Sequence, residues 1–347
     1  MKTVYKRLAL FLSALMLLSL VSCGGKAAYA DSVFTGMDTA ITLRLASDGV
    51  DNAVLGQTAA EVENIVADLE RILSCHDENS ELSALNKNVH MLLDADQTLL
   101  TVLSTAFQMH DLTGGAYDPT LGVLTGLWNV TGGGPVPKEA SIAEALDHCG
   151  TDKLVIEGTT ITKHDTALQI DLGGVGKGYA LQQILTYLSS TEIPYGLVSM
   201  GGNIGVFGQK PDGTPYQIGV KDPKNPDTIV GHLYIPSGFV SVSGNYERFF
   251  EQDGEIYHHI MDPETGHPAD TGLASVAVYT QNGSSADALS TALFVMGAEK
   301  GLAFYESGQV QFEAVFITED NRILLTPGLE DSGMFSLTSA NYTIVTE

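Results

Sequence analysis

In the stretch SSADALSTALFVMG (284–297) a carboxylate and two hydroxyls recur at helical spacing. Asp287 and Thr291 are four residues apart, so one helix face carries both, and Ser290 falls on the same face. Ser284 or Ser285 can cap the helix and Gly297 can end it. An all-oxygen donor set suits a hard cation such as Mg²⁺, which usually keeps open positions for substrate phosphates. The same spacing also serves a plain structural helix, with Asp287 complementing the dipole and Thr291 packing.

Three other stretches carry candidate chemistry. IDLGGVGKGYA (170–180) has four glycines within six residues, an Asp before them and a Lys among them. Such a run marks backbone that turns tightly or approaches something closely. Its spacing matches neither the Walker loop nor the G-x-G-x-x-G dinucleotide fingerprint, so a structural turn and a ligand loop both remain open. GEIYHHIMDPETGHP (254–268) sets two adjacent histidines on a strand that runs into a D-P-x-T-G turn. A His there can act as a general base or sit as a satisfied strand residue. TGGAYDPTLGVLTGLW (113–128) joins a Gly-Gly turn to Tyr117, Asp118 and the only Trp. It reads as a structured loop with an aromatic anchor, or as one that holds a planar ring against Tyr117.

Positioning these groups needs both helices and strands. Apolar residues at helical spacing predict helices over 54–74, 96–112, 138–148, 176–190, 285–296 and 298–306, and a short helix or turn at 79–86. The glycine stretch feeds the helix at 176. Short apolar or alternating segments predict strands at TAITLRL, KLVIE, TALQIDL, YGLVSM, NIGVFG, PYQIGV, IVGHLYIP, FVSVSG, EIYHHIM, LASVAVYT, FEAVFIT and RILLT. Strict βαβ alternation is absent, which points to an α+β fold of mixed helices and antiparallel-rich sheets.

The chain has 347 residues, of which 44% are hydrophobic and 17% charged, as in a folded globular protein. Its formal charge of −25 argues against nucleic acid as a partner and against a basic membrane-docking patch. A site for phosphates in such a chain needs local Lys or a metal. MKTVYKR followed by LALFLSALMLLSLVS is a basic segment and an apolar run too short to span a bilayer, which suits a signal peptide. The Leu20-Val21-Ser22-Cys23 that follows resembles a bacterial lipobox, with Cys23 as the lipidated residue; cleavage after Ala28-Tyr29-Ala30 is the rival. The expected organisation is a signal over 1–22, a tether over 23–32 and one domain over 33–347. Cys75 and Cys149 read as two free thiols, although an oxidising compartment would permit pairing.

Taken in order, TGMDTAITL, NSELSALN, TGGAYDPTLGVLTGLW, IDLGGVGKGYA, LVSMGGNIGVFG, VKDPKNP, VSVSGNYERFF, HHIMDPETGHP and SADALSTALFVMG resemble the ApbE family, the FAD:protein FMN transferases. The resemblance runs from about residue 34 to about 318. It implies a T-fold-related domain that uses Mg²⁺ to split FAD, joins FMN to a Ser or Thr of a flavoprotein and releases AMP. By that resemblance Asp287 and Thr291 hold the metal with a main-chain oxygen of Gly174, and Ser290 contributes. Asp171 and Lys177 match flavin-nucleotide contacts. Met37, Ala116, Tyr117 and Asp118 line the FAD site, and Ile260 lies beside the dinucleotide. Gly201-Gly202-Asn203 closes the same pocket. His259 is the expected base for the acceptor hydroxyl, with His258 as the fallback. One position departs: His76 stands where the family often has an aromatic that covers the flavin, and imidazole covers less area. The implied partners are FAD, acceptor subunits of membrane electron-transfer complexes, and an extracytoplasmic bacterial membrane reached through lipid on Cys23. The same residues would serve a pyrophosphatase that gives FMN and AMP. An anchored FAD-binding protein without turnover is a third reading, which an intact Asp287/Thr291 pair disfavours.

Overall fold

The computed structural model describes residues 28–87 and 90–345. The expected signal, Cys23 and most of the tether lie outside the described residues. Among these, no helix is long and apolar enough to cross a membrane.

The strand nearest the N-terminus differs from expectation. β1 (Tyr29–Gly36) pairs with β2 (Thr39–Ala46) in antiparallel register, so residues 29–32 of the expected tether belong to the sheet. The two-residue turn is Met37-Asp38, with φ of 48° and 58°. Hairpin turns need such positive φ values and normally announce themselves with Asn-Gly, a signal this pair lacks.

In chain order the helices are α1 (Asn52–Leu73), α2 (Glu81–Asn86), α3 (Gln97–Leu112), α4 (Gly122–Trp128), α5 (Glu139–Asp147), α6 (Gly176–Ser189), α7 (Gly283–Glu306) and α8 (Pro327–Ser332). Asp51 starts α1 by accepting Ala53 N–H at 2.7 Å, and Val62, Val66, Leu69 and Leu73 give it one buried face. The remaining strands are β3 (Met91–Leu92), β4 (Leu154–Glu157), β5 (Thr160–Lys163), β6 (Tyr195–Met200), β7 (Asn203–Gly208), β8 (Tyr216–Asp222), β9 (Asn225–Ile235), β10 (Gly238–Gly244), β11 (Phe249–Gln252), β12 (Glu255–His258), β13 (Leu273–Thr280), β14 (Glu313–Thr318), β15 (Arg322–Leu325), β16 (Phe335–Leu337) and β17 (Thr343–Ile344).

The main sheet has nine strands in the order β1-β2-β6-β7-β10-β13-β14-β15-β17, antiparallel except for the last pair. Both of its faces are covered. Val276 and Val278 of β13 point into the core beneath α6 and α7, while Ala277 between them joins Val240, Ile218 and Leu233 on the other face. This explains why LASVAVYT reads as an unbroken apolar run rather than an alternating one. The second face is covered by the small sheet β16-β9-β8. A third cluster around Trp128 packs α4, α5 and Phe250 of the β11-β12 hairpin, and Trp128 Nε1 donates to Gly266 O at 2.8 Å. The α+β expectation holds.

One expected strand reads differently in the fold, and one helix break falls where the sequence puts it. TALQIDL is no strand beyond a single bridge of Gln169 to Leu121: Ile170 N–H donates to Asn86 Oδ1 and Ile170 O accepts from Asn86 Nδ2, at 2.7 Å each, while Gly122 N–H and Asp171 N–H bond to Gln169 O and Pro119 O. The expected helices at 285–296 and 298–306 are both present, as the two halves of α7, and Gly297 separates them with a non-helical φ of 78° and ψ of 171°.

Candidate active site

The glycine stretch does two separate jobs. Its C-terminal half lets α6 and α7 touch backbone to backbone. A methyl group on Gly178 would stand 2.1 Å from Gly283 O and 2.7 Å from Asp287 Cβ. With no side chain there, Gly178 N–H reaches across the crossing and donates to Asp287 Oδ2 at 2.8 Å. Its N-terminal half turns the loop under Tyr117. A methyl group on Gly174 would stand 2.9 Å from Tyr117 Cε2 and 3.4 Å from Thr291 Oγ1. The loop is braced by Asp171, which accepts Gly173 N–H at 2.8 Å and the Thr125 hydroxyl at 3.2 Å. Lys177 Nζ folds back onto Gly173 O at 2.7 Å and lies 4.0 Å from Asp287 Oδ1.

These groups border a cleft of about 1440 Å³, its open mouth included. Met37 and Asp38 from the β1-β2 turn, His76, Ala116, Tyr117, Asp118, Asp171, Gly174, Lys177, His259, Ile260, Asp287 and Thr291 all line it. Gly201 and Asn203 of the expected closing segment do so as well. Ser290 does not. Its hydroxyl is buried against Ser243 at 2.8 Å and Ser241 at 3.1 Å, and it donates to Asp287 O at 2.9 Å. Ser290 therefore braces β10 against α7 rather than facing the cleft.

Asp287 is 4% exposed, yet the protein satisfies it incompletely. Oδ1 has only Ser241 Oγ at 3.5 Å and the Lys177 ammonium at 4.0 Å. Thr291 Oγ1 has only a 3.4 Å contact with Ser243 Oγ. The enclosed hydroxyl of Tyr117 and Nδ2 of Asn203 have no hydrogen-bond partner. A buried carboxylate with under-used oxygens beside a hydroxyl and a glycine loop fits a hard cation, since every donor is oxygen. Among the described residues no three His, Cys, Asp or Glu side chains converge as a metal site. One carboxylate with neutral oxygens would leave much of the cation's shell to water and substrate phosphates.

The two histidines separate cleanly. His258 is buried and fully engaged: Nε2 lies 3.0 Å from Ala269 O, Nδ1 accepts Ile260 N–H at 3.2 Å, and the ring edge packs on Phe294. His259 borders the cleft. A carbonyl can only accept, so the 3.3 Å contact of His259 Nδ1 with Arg248 O puts the proton on Nδ1 and leaves the Nε2 lone pair free. Burial, followed by the Arg248 charge, lowers the His259 pKa to about 4, so the ring is neutral near pH 7.

On the opposite wall Met37 N–H donates to Glu70 Oε1 at 3.2 Å, and Asp118 is locked in a turn by Thr120 N–H at 2.7 Å. His76 is exposed, with Nε2 3.9 Å from Asp38 Oδ2. Beside it the Cys75 thiol is pushed up to about 12, chiefly by burial, and is therefore a protonated, unreactive group. The two described cysteines are both free. The sequence reading gave no role to Ser243, Glu247 and Arg248, which also line the cleft. They sit in the quoted run VSVSGNYERFF, where a Glu-Arg pair after a strand carries no spacing signal of its own.

The family model described as the ApbE family matches residues 37–316. The chain belongs to the ApbE family. Among its relatives, the FAD:protein FMN transferase of Vibrio cholerae is 34% identical over 268 residues, covering 75% of this chain and 79% of the relative. The protein of that name from Treponema pallidum is 32% identical, covering 78% of this chain and 80% of its own length. The crystal structure of the ApbE protein from Thermotoga maritima superposes with a TM-score of 0.79 at 31% identity, over 87% of this chain and 98% of that one. The ApbE match begins at the β1-β2 turn and ends within β14, so it contains every residue that borders the cleft.

Proposed function

We propose that this chain is a FAD:protein FMN transferase, which moves FMN from FAD to a Ser or Thr hydroxyl of a flavoprotein. The observation that carries the reading is the convergence, in one cleft of an ApbE-family chain, of the Asp287/Thr291/Gly174 oxygens with a neutral, correctly tautomeric His259. Asp287, Thr291 and the Gly174 carbonyl would hold Mg²⁺. When bound, that ion neutralises phosphoryl oxygens and assists departure of AMP. Asp171, Tyr117 and Met37 form the walls that hold the nucleotide and exclude water from it. Lys177 supplies positive charge beside Asp287.

In this mechanism the acceptor hydroxyl oxygen forms a bond to the FMN phosphorus, and the bond from that phosphorus to the bridging oxygen breaks. AMP leaves with the bridging oxygen, and the hydroxyl proton passes to His259 Nε2. His259 is suited to the task because its Nδ1–H is held by Arg248 O, which fixes the ring's direction. The acceptor is inferred to be a subunit of a membrane electron-transfer complex, met outside the cytoplasm by a chain anchored through lipid on Cys23.

The test incubates the mature chain with FAD, Mg²⁺ and a candidate acceptor domain from the same genome. A mass gain of one FMN on the acceptor with release of AMP supports the reading. Free FMN and AMP beside an unmodified acceptor point instead to water as acceptor, and intact FAD overturns the reading.

A further inference from the structure

Arg248 is exposed and borders the cleft between β10 and β11. The other arginines of the described residues each meet a carboxylate: Arg44 with Asp31 at 2.8 Å, Arg71 with Asp68 at 3.1 Å and Arg322 with Asp320 at 2.8 Å. Among the described residues Arg248 alone of the arginines has no carboxylate within 4 Å, in a chain of net charge −25. Its backbone is firmly tied, because its carbonyl accepts both His259 N–H at 3.1 Å and His259 Nδ1–H at 3.3 Å. The Arg248 backbone therefore sits beside the group read as the base, and its charge acts on that group.

That arrangement is costly without a ligand. A cation next to an imidazole weakens the imidazole as a proton acceptor, and the Arg248 charge lowers His259 in this way. Lys177 lowers it as well, and burial raises the pKa of Glu247, the loop residue before Arg248, against the lowering effect of Lys221, Lys177 and Arg248. Two positive side chains from different elements thus line one cleft in an acidic chain. An anion seated between them would offset their repulsion and restore the basicity of His259. Guanidinium, a planar fork of donors, suits two oxygens of one phosphoryl group.

We propose that Arg248 is a catalytic residue that grips the phosphoryl oxygens of the FAD pyrophosphate, opposite Lys177, while its carbonyl aims His259 at the acceptor. This rests on the FAD reading of the cleft. The assignment accounts for an unpaired guanidinium and a base braced by the same residue.

The test measures FAD binding by flavin fluorescence and its displacement by inorganic pyrophosphate, on the full chain with Arg248→Met, Arg248→Gln and Arg248→Lys. Loss of one charge-assisted contact predicts a Kd for FAD raised on the order of tenfold or more in the Met and Gln variants. The pyrophosphate needed for displacement should rise in parallel, and Lys should recover part of both. A merely structural role would lower the melting temperature in step with FAD affinity and would give Lys no advantage over Gln, which overturns the assignment. Met and Gln variants that bind FAD and pyrophosphate as the unaltered chain does overturn it too, with FMN transfer by the unaltered chain left standing. If the unaltered chain binds no FAD, the functional reading itself falls and this assignment falls with it.

Discussion

Replacing Gly178 by Ala sets two effects of opposite sign against each other. Gly178 lies inside α6, and there Ala normally stabilises by about 0.5–1 kcal/mol relative to Gly. Here the new methyl would stand 2.1 Å from Gly283 O and 2.7 Å from Asp287 Cβ. Both are rigid parts of α7, so no rotamer change relieves the clash and the helices must separate. Overpacking of this kind costs about 1–3 kcal/mol. Separation also stretches the 2.8 Å bond from Gly178 N–H to Asp287 Oδ2, and a hydrogen bond to a charged group is worth about 1.5–3 kcal/mol. The net loss is roughly 2–5 kcal/mol, a large part of the ~5–15 kcal/mol that holds a domain together. The melting temperature should fall by about 5 °C or more. The control is Gly174→Ala, whose methyl would meet the edge of the Tyr117 ring at 2.9 Å. A buried side-chain ring can yield more than a backbone carbonyl, so that variant should lose less stability than Gly178→Ala while binding FAD less tightly. Calorimetry on both variants with and without FAD decides the matter. A Gly178→Ala chain that melts at or above the unaltered one would refute the helix-crossing argument.

Asp287→Asn keeps an oxygen to accept Gly178 N–H, so folding should survive, but Mn²⁺ binding followed by electron paramagnetic resonance should be lost and flavin transfer should drop by about two to three orders of magnitude. His259→Gln should lower transfer about 10²–10⁴-fold without moving the melting temperature, whereas His258→Ala should lower the melting temperature, because Ile260 N–H and Ala269 C=O both lose their partner. The His259 pKa is lowered from 6.5 to about 4, so the unfolded chain binds this proton more readily than the folded one between those values. Stability should therefore rise with pH across that window, and chemical denaturation of His259→Gln at pH 4.5 and 6.5 should reveal a flatter dependence.

The parts of the site that were legible in the sequence are those set by local geometry. Asp287 and Thr291 share a face because a helix repeats every 3.6 residues, and the cleft receives both. Ser290 met the same criterion and faces elsewhere, since a three-residue step rotates it toward β10, where Ser241 and Ser243 supply partners. Periodicity cannot tell those two outcomes apart without the neighbouring strand. The choice of His259 over His258 came from the resemblance and not from the pattern, because neighbouring residues at the end of a strand point to opposite sides and only the Ala269 carbonyl reveals which side is core. Arg248 was passed over for a related reason: its closeness to His259, eleven residues along the chain, is made by hairpin register across β11 and β12 and not by any motif spacing. In the fold, β1 was missed because its turn is Met37-Asp38, and TALQIDL was misread because the Asn86 side chain takes up the backbone of Ile170 and only one bridge, Gln169 to Leu121, remains.

The net charge of −25 appears hostile to a dinucleotide with a pyrophosphate, yet the arrangement of charge in the cleft removes the conflict. Asp118, Asp171 and Asp287 crowd one side, around a Tyr117 hydroxyl that burial and these carboxylates hold in its neutral form. Lys177, beside Asp287, and Arg248 and His259 of the β11-β12 region line the same cleft. A phosphate approaching the acidic floor alone would be repelled, and a divalent cation there would be attracted. Charge therefore imposes an order of preference on the floor, with the cation compensating Asp287 and the phosphates compensating both the cation and the two basic side chains above. The charged groups would then come from different elements: Asp287 of α7 facing a cation, Lys177 of α6 and Arg248 of the β10-β11 loop facing phosphates. Such a site has low affinity for either component by itself and gains from both together. Metal and FAD should bind with positive coupling, each tightening the other by the same factor, as linkage requires. Titration of FAD with and without Mn²⁺, and of Mn²⁺ with and without FAD, measures that factor twice. Equal affinities with and without the partner would show that charge compensation plays no part, and the acidic floor would then need another explanation.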